Sequence, residues 1–170
     1  MARIRRLEIR NFRSIKILDW APSAGINCLI GPGDSGKSTI LDAIDLCLGA
    51  RRNVSIADTD FYGLVVTESI VVAVTLGGLS DELLSLEVYG EFLRGYDAAT
   101  GQIEPEPRAE IETALTVRLE VGADLEPSWL LYSERAQEQG LERGLAWKHR
   151  AALAPCLLYT SDAADDSLRV

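Results

Sequence analysis

The residue types best suited to chemistry lie together in one short run, Gly31–Thr39, which reads GPGDSGKST. The run fits the pattern G-x-x-x-x-G-K-[ST], in which glycines leave room for phosphate oxygens and let backbone N–H groups point toward them. Lys37 would bring a positive charge to the β- and γ-phosphates, and the Ser38 hydroxyl would bind Mg²⁺. The run therefore predicts a nucleoside triphosphate site formed by Gly31, Pro32, Gly33, Asp34, Ser35, Gly36, Lys37, Ser38 and Thr39.

The elements on both sides of the run suit such a site. Ile26–Ile30 is a short apolar run, which predicts a central strand covered on both faces. A helix is predicted after the loop and is expected to end at Gly49, with the positive end of its dipole directed at the phosphates. Its apolar face is predicted to comprise Ile40, Leu41, Ile44 and Leu48.

Further elements follow from apolar periodicity and from the positions of glycine and proline. Two strands before the loop, Ile4–Arg10 and Ile15–Trp20, form a predicted hairpin. After the loop we predict strands at 69–76, 113–121 and 129–132, a helix at 81–93, a loop at 96–108 and an ambiguous segment, helical at best, at 133–150.

Composition limits the class of protein. The chain has 170 residues, of which 47% are hydrophobic and 25% charged, which is typical of one globular domain with a core of its own. It has no apolar run long enough to cross a bilayer and no signal-peptide pattern. Cys28 and Cys47 lie within apolar patterns and are expected to be reduced core residues of a cytoplasmic protein.

The net charge of −9 is unevenly distributed. Residues 1–16 hold six basic side chains against the single acidic Glu8, so the rest of the chain is strongly acidic. Because DNA-coating surfaces carry basic stripes, nucleic acid would be contacted only locally or through sequence outside this chain. The alternative is that the N-terminal arginines form the solvated face of an edge strand.

The sequence gives little support for a catalytic triad or a metal site elsewhere in the chain. His149 is the only histidine, so no Ser-His-Asp triad or histidine metal site is expected. Asp58-Thr59-Asp60 is interpreted as a set of turn and cap residues in preference to metal ligands. Cys156–Asp166 looks like the translation of a transposase-based sequencing adapter, so we expect residues 156–170 to be an artefactual tail of a longer natural protein. A genuine acidic tail is the alternative.

Several segments together resemble the heads of ABC-type DNA-maintenance ATPases, namely RecF, the SMC proteins and the OLD (overcoming lysogenisation defect) endonucleases. They are Leu7–Ser14 (LEIRNFRS), Gly25–Pro32, the loop itself and Leu41–Ile44. Asp58–Tyr62, the segment 77–84 and the segment 115–129 are more similar to the OLD family. The resemblance covers about residues 3–135.

This resemblance implies an α/β P-loop NTPase fold: the truncated N-terminal lobe of an ABC-type head. Residues 1–155 would hold a P-loop lobe at about 3–66 and an antiparallel β-subdomain at about 67–135. Gly33 stands where the family commonly has Asn, with Asp34 after it, and neither change removes a required group.

The implied activity is ATP binding with Mg²⁺, and hydrolysis between two paired heads coupled to DNA cleavage or repair. Lys37 would be the catalytic residue that stabilises charge on the transferred phosphoryl group. Arg13 would reach the nucleotide phosphates, or else would be a plain turn arginine. The family's later motifs (signature, Walker B, switch histidine and Toprim carboxylates) have no counterpart here, so this chain alone is expected to be inactive. Alternatives are a RecF- or SMC-like DNA clamp without nuclease activity and a small-molecule P-loop kinase.

Overall fold

The computed structural model describes residues 2–33, 35–49, 54–81, 83–84 and 89–145. The described helices are α1 (Lys37–Leu48) and α2 (Glu134–Glu138), with short 3-10 helices at Asp58–Asp60, Tyr62–Leu64 and Gly90–Phe92. The described strands are β1 (Arg3–Phe12), β2 (Ile15–Trp20), β3 (Ile70–Gly77), β4 (Leu93–Asp97), β5 (Gln102–Glu104), β6 (Glu112–Val121), β7 (Pro127–Tyr132) and β8 (Arg143–Gly144).

All eight strands form one antiparallel sheet with the order β2-β1-β3-β6-β4-β5. The long strand β6 pairs with β3 along one edge, and with β4 and then β7 along the other, while β8 pairs with β7. The sheet therefore contains both the hairpin before the phosphate loop and the strands after residue 67. The predicted division into a P-loop lobe and a β-subdomain stays a prediction.

One face of the sheet is apolar because alternate side chains of three neighbouring strands point to the same side. In the pairing register, Leu7, Val74 and Val117 form one row, and Ile9, Val72 and Leu119 form the next. All six side chains are fully buried. Helix α1 packs on this face with its own buried residues, Ala43, Ile44, Cys47 and Leu48.

The opposite face of the sheet carries polar and charged side chains. Thr75 and Thr116 are neighbours in the register, and their hydroxyl oxygens lie 2.9 Å apart. Arg6 lies beside Thr75 and donates from Nε to Asp19 over 2.8 Å. The hydrogen bond to Asp19 raises the pKa of Arg6 despite partial burial. Two arginines of β1 therefore have acidic partners within the chain: Arg6 with Asp19, and Arg5 with Glu112.

The main strand predictions are confirmed: β1, β2, β3, β6 and β7 overlap the segments predicted to be strands. The prediction of a central strand at Ile26–Ile30 is wrong for this structure. The segment is not a strand, and Ile26 and Ile30 are 92% and 93% exposed. An apolar run becomes a buried strand only when neighbouring strands flank it, and no described strand pairs with this one.

The helix after the loop differs in detail from its prediction. It ends at Leu48 as expected, but Leu41 is 53% exposed, and the buried face turns toward Ala43 and Cys47. Gly49 caps the helix with extended backbone, and its N–H donates to the carbonyl of Asp45 over 2.7 Å. A Cβ at Gly49 would lie 2.2 Å from that same oxygen, so close approach explains the glycine.

Three other expectations need correction. Cys28 is exposed, whereas Cys47 is buried as predicted. The helix predicted at 81–93 does not reach Leu93, which begins β4, and residues 82 and 85–88 lie outside the described part. The loop predicted at 96–108 contains the end of β4 and the short strand β5, because the chain reverses there into a hairpin.

His149 and the suspected artefactual tail, residues 156–170, lie outside the described residues. Among the residues that the structure describes, no helix is both long and apolar enough to cross a membrane.

Candidate nucleotide site

The phosphate loop leads directly into α1, and Gly36 makes the junction. Gly36 is the N-cap of the helix and has φ of 86°, in the left-handed region that glycine adopts without strain. No side chain among the described residues caps this helix start. Since the first N–H groups of a helix lack partners within it, the helix presents them, with its positive dipole end, at the loop.

Lys37 is the first residue of α1, and its side chain folds back across the loop. Its Nζ donates to the carbonyl oxygens of Gly31 and Pro32 over 2.9 Å and 2.6 Å, and to the hydroxyl of Ser35 over 3.0 Å. These three contacts hold a positive charge above the glycine-rich loop. A cation at this position, beside a helix N-terminus, provides the electrostatic setting that an anion requires.

The three loop glycines have different surroundings. A Cβ at Gly31 would lie 2.7 Å from the hydroxyl oxygen of Ser35, so a larger residue there would displace that side chain. A Cβ at Gly36 would lie 3.4 Å from both Ser14 and Ile15. No described residue beyond its chain neighbours lies within 4 Å of the Cβ position of Gly33, so the described part of the loop has open space on that side.

The remaining predicted site residues lie at the start of the helix. Ser38 is exposed, and its hydroxyl has no hydrogen-bond partner among the described residues. The hydroxyl oxygen of Thr39 lies 3.1 Å from that of Ser14, in the turn between β1 and β2. Asp34 lies outside the described residues.

Arg13 lies in the same turn as Ser14 and so beside the phosphate loop. Its Nε donates to Asp60 over 2.8 Å, and its Nη1 donates to Asp42 on α1. Partial burial lowers the pKa of the Arg13 guanidinium, but the hydrogen bonds and charges of Asp60 and Asp42 outweigh that effect and raise it. The guanidinium is therefore positively charged and held by two carboxylates.

Sequence reasoning did not identify Asp42 or Asp60 as partners of Arg13. The helix pattern indicates no partner for Asp42, and the Asp58-Thr59-Asp60 pattern predicts only turn and cap residues. The Asp58–Tyr62 segment is recognisable in the sequence, but no local feature indicates which arginine Asp60 contacts. The partners lie 29 and 47 residues from Arg13 along the chain.

The residues present fit a phosphate group with Mg²⁺. Open space beside Gly33, an uncapped helix N-terminus and the Lys37 ammonium converge on one loop, and the exposed Ser38 hydroxyl supplies an oxygen of the kind that Mg²⁺ prefers. The described part of the chain contains no group of three or more His, Cys, Asp or Glu residues placed to hold a metal ion. Any metal ligands here would therefore be few, as is usual for Mg²⁺ bound together with substrate phosphates.

Part of the chain is similar to known proteins. Residues 6–74 match the AAA domain family. RecF, the DNA replication and repair protein, of Vibrio vulnificus is 42% identical over 88 residues, covering 52% of this chain and 20% of that protein. RecF of Nitrosococcus oceani is 47% identical over 53 residues, covering 31% of this chain and 14% of that protein. The chain thus spans only about a seventh to a fifth of these relatives.

Solved structures give the same fold. The Smc head domain of Pyrococcus yayanosii, with a coiled coil and joint, superposes with a TM-score of 0.53 at 21% identity, covering 93% of this chain and 26% of that one. A structure from a study of ATP-driven dimerization and DNA-stimulated activation of SMC ATPases has a TM-score of 0.52 at 17% identity, covering 91% and 79%. The predicted fold class is confirmed: the chain has the α/β fold of the N-terminal part of a RecF/SMC-type ATPase head.

Proposed function

We propose that this chain binds ATP with Mg²⁺ through Gly31–Thr39, as the nucleotide-binding half of an ATPase head. The observation that carries the proposal is the junction at Gly36, where a glycine-rich loop covered by the Lys37 ammonium leads into an uncapped helix N-terminus. Both the backbone N–H groups and the lysine then act on the same phosphates.

Each residue has a distinct part in this proposal. Lys37 exchanges its loop acceptors for β- and γ-phosphate oxygens and stabilises the negative charge that grows on the transferred phosphoryl group. Ser38 directs its hydroxyl at Mg²⁺, which when bound neutralises phosphate charge. The backbone of residues 33–37 surrounds the β-phosphate, and Arg13 approaches the phosphates from the β1–β2 turn.

Hydrolysis is proposed for the whole protein only. In the related families, the Walker-B carboxylate lies in later sequence and the signature motif comes from a second head. We therefore propose that the whole protein forms a homodimer with ATP bound between its two heads, and that this dimer acts on DNA. The SMC relative whose study concerns ATP-driven dimerization and DNA stimulation supports both parts. This chain alone is expected to bind ATP without hydrolysing it.

The whole protein could couple ATP to either of two activities on DNA. The similarity of Asp58–Tyr62 and the segments that follow to the OLD family supports DNA cleavage. The identity of residues in the AAA-domain region with RecF proteins supports DNA clamping or loading without cleavage. The parent gene distinguishes them: a Toprim cluster of acidic residues would support the nuclease, and a long heptad repeat would support a clamp.

The direct test is titration of the purified chain with a fluorescent ATP analogue, mant-ATP, in the presence of Mg²⁺. Lys37→Ala should weaken binding at least about tenfold, because a charge-assisted contact to phosphate contributes about 1.5–3 kcal/mol. Lys16→Ala is the matched control, since it removes an equal charge from an exposed position on β2. Equal affinities of Lys37→Ala and wild type would disprove the site.

A further inference from the structure

We infer that Asp60 is a positioning residue for Arg13, and that Asp42 competes with nucleotide phosphate for the same guanidinium. This inference rests on the proposed function, since it concerns how Arg13 reaches ATP. It gives the Asp58–Tyr62 segment, which lies far from the phosphate loop in sequence, a part in nucleotide binding.

Asp60 holds Arg13 at two points. The carbonyl of Asp60 accepts the backbone N–H of Arg13 over 2.7 Å, and its Oδ1 accepts from Nε over 2.8 Å. The other carboxylate oxygen accepts the N–H of Ala57 over 3.1 Å, so both side-chain oxygens are engaged. The orientation of the carboxylate is therefore fixed by its own segment, and it fixes the base of the arginine side chain in turn.

The backbone around Arg13 is strained and is held by the same segment. Arg13 has φ of 48° and Asn11 has φ of 55°, both in the left-handed region that is unfavourable for residues with a Cβ. The Asn11 amide donates to the carbonyls of Val65 and Glu68, and Phe12 pairs with Phe61 in an isolated bridge. Residues 57–68 thus hold the turn in a shape that it would not adopt alone.

This turn also contacts the phosphate loop. Ser14, the next residue, lies against Thr39 through its hydroxyl, and Ser14 and Ile15 lie 3.4 Å from the Cβ position of Gly36. The position of the turn therefore sets where Arg13 begins relative to the loop. Asp60 acts on the nucleotide site through this contact without touching it.

Asp42 contacts the other end of the guanidinium. It accepts from Nη1 and lies five residues after Lys37, about 7.5 Å along the helix axis. Within the described part of the chain, Nη2 has no hydrogen-bond partner, and the arginine side chain is 42% exposed. Nε is thus committed to Asp60, while the Nη atoms are free to exchange one carboxylate for a phosphate oxygen.

The two carboxylates should consequently have opposite effects on ATP affinity. Asp60→Asn keeps an acceptor for Ala57 but weakens the hold on Nε, so mant-ATP should bind about three- to tenfold more weakly. Asp42→Asn removes a negative charge near the phosphates and leaves only a weaker, neutral acceptor to compete for the guanidinium, so binding should tighten about threefold. A purely structural role would make both variants weaker binders.

A double-mutant cycle tests whether Asp60 acts through Arg13. In an Arg13→Ala background, Asp60→Asn should produce no further loss of mant-ATP affinity. Asp58→Asn is the matched control, because it removes an equal charge from an exposed side chain in the same 3-10 helix. If Asp60→Asn does not fold, the sign of the Asp42→Asn effect still decides the question.

These experiments distinguish a failure of this inference from a failure of the proposed function. If Lys37→Ala abolishes binding while Asp60→Asn leaves it unchanged, or if Asp42→Asn weakens it, this inference is wrong and the proposed function stands. If the wild-type chain does not bind mant-ATP, the proposed function fails, and the inference fails with it.

Discussion

The indole Nε1 of Trp129, on β7, donates a hydrogen bond to the carbonyl oxygen of Leu46 over 3.2 Å. Leu46 lies in the last turn of α1, where carbonyl groups lack partners within the helix. At the other end, the hydroxyls of Thr39 and Ser14 lie 3.1 Å apart. Helix α1 is therefore held by β7 near its C-terminus and by the β1–β2 turn near its N-terminus, where the phosphate loop leads into it.

Gly36 should be the most sensitive glycine of the phosphate loop in the absence of nucleotide. Its φ of 86° is unfavourable for a residue with a Cβ, so Gly36→Ala should lower the free energy of unfolding by about 1–2 kcal/mol. Urea denaturation followed by circular dichroism measures this. Gly33→Ala is the matched control, because its Cβ would meet no described residue within 4 Å and its φ lies outside the left-handed region. Equal losses for the two variants would contradict the conformational explanation.

The turn between β4 and β5 should respond to acid. Asp97 accepts the N–H of Ala99 over 2.8 Å and the hydroxyl of Thr100 over 2.9 Å. Both hydrogen bonds hold the pKa of the Asp97 carboxyl below its ordinary value, and the bond from Ala99 has the larger effect. Because the folded pKa is lower than the unfolded one, the carboxylate stabilises the fold above the ordinary pKa. That stabilisation is lost as the pH falls through the folded pKa.

Thermal unfolding between about pH 6 and pH 3 tests this expectation. Asp97→Asn should melt lower than wild type at the upper end of the range, and the difference should shrink toward the lower end. Asp81→Asn, an exposed carboxylate without a hydrogen-bond partner in the described part of the chain, is the control. A gap between Asp97→Asn and wild type that does not change with pH would contradict the assignment.

Local sequence patterns correctly predicted the strands that bury alternate side chains on one face of the sheet. The alternation of Leu115, Val117, Leu119 and Val121 predicted β6 correctly, because these alternate side chains are all buried on one face of the sheet. The nucleotide site stays a prediction, and it also rests on a local pattern. Its chemistry requires particular residues at fixed spacing, and that spacing is visible in the sequence alone.

Predictions that depended on distant partners were less successful. Ile26–Ile30 has the composition of a central strand, but such a strand requires neighbours that a local pattern does not specify. The contacts of Arg13 show the same limit. Asp42 and Asp60 are unremarkable polar residues until the fold brings a helix, a turn and a 3-10 helix to one guanidinium.

Ser38 should determine how strongly Mg²⁺ promotes nucleotide binding. Its hydroxyl is exposed at the start of α1, one residue after Lys37, and has no described hydrogen-bond partner to give up. Ser38→Ala should therefore leave mant-ATP affinity in EDTA nearly unchanged. In Mg²⁺ the variant should bind about tenfold more weakly than wild type, since one ligand of a charged ion is lost.

The ratio of mant-ATP affinity with Mg²⁺ to that without Mg²⁺ distinguishes loss of a metal ligand at Ser38 from a general change in the loop. Thr39→Ser is the matched control, because it keeps a hydroxyl for Ser14 at the neighbouring position and should preserve the ratio. Lys37→Ala should lower affinity under both conditions, since its contact with phosphate does not require the metal. If Ser38→Ala instead weakens binding equally in EDTA and in Mg²⁺, the serine supports the loop and does not bind the ion.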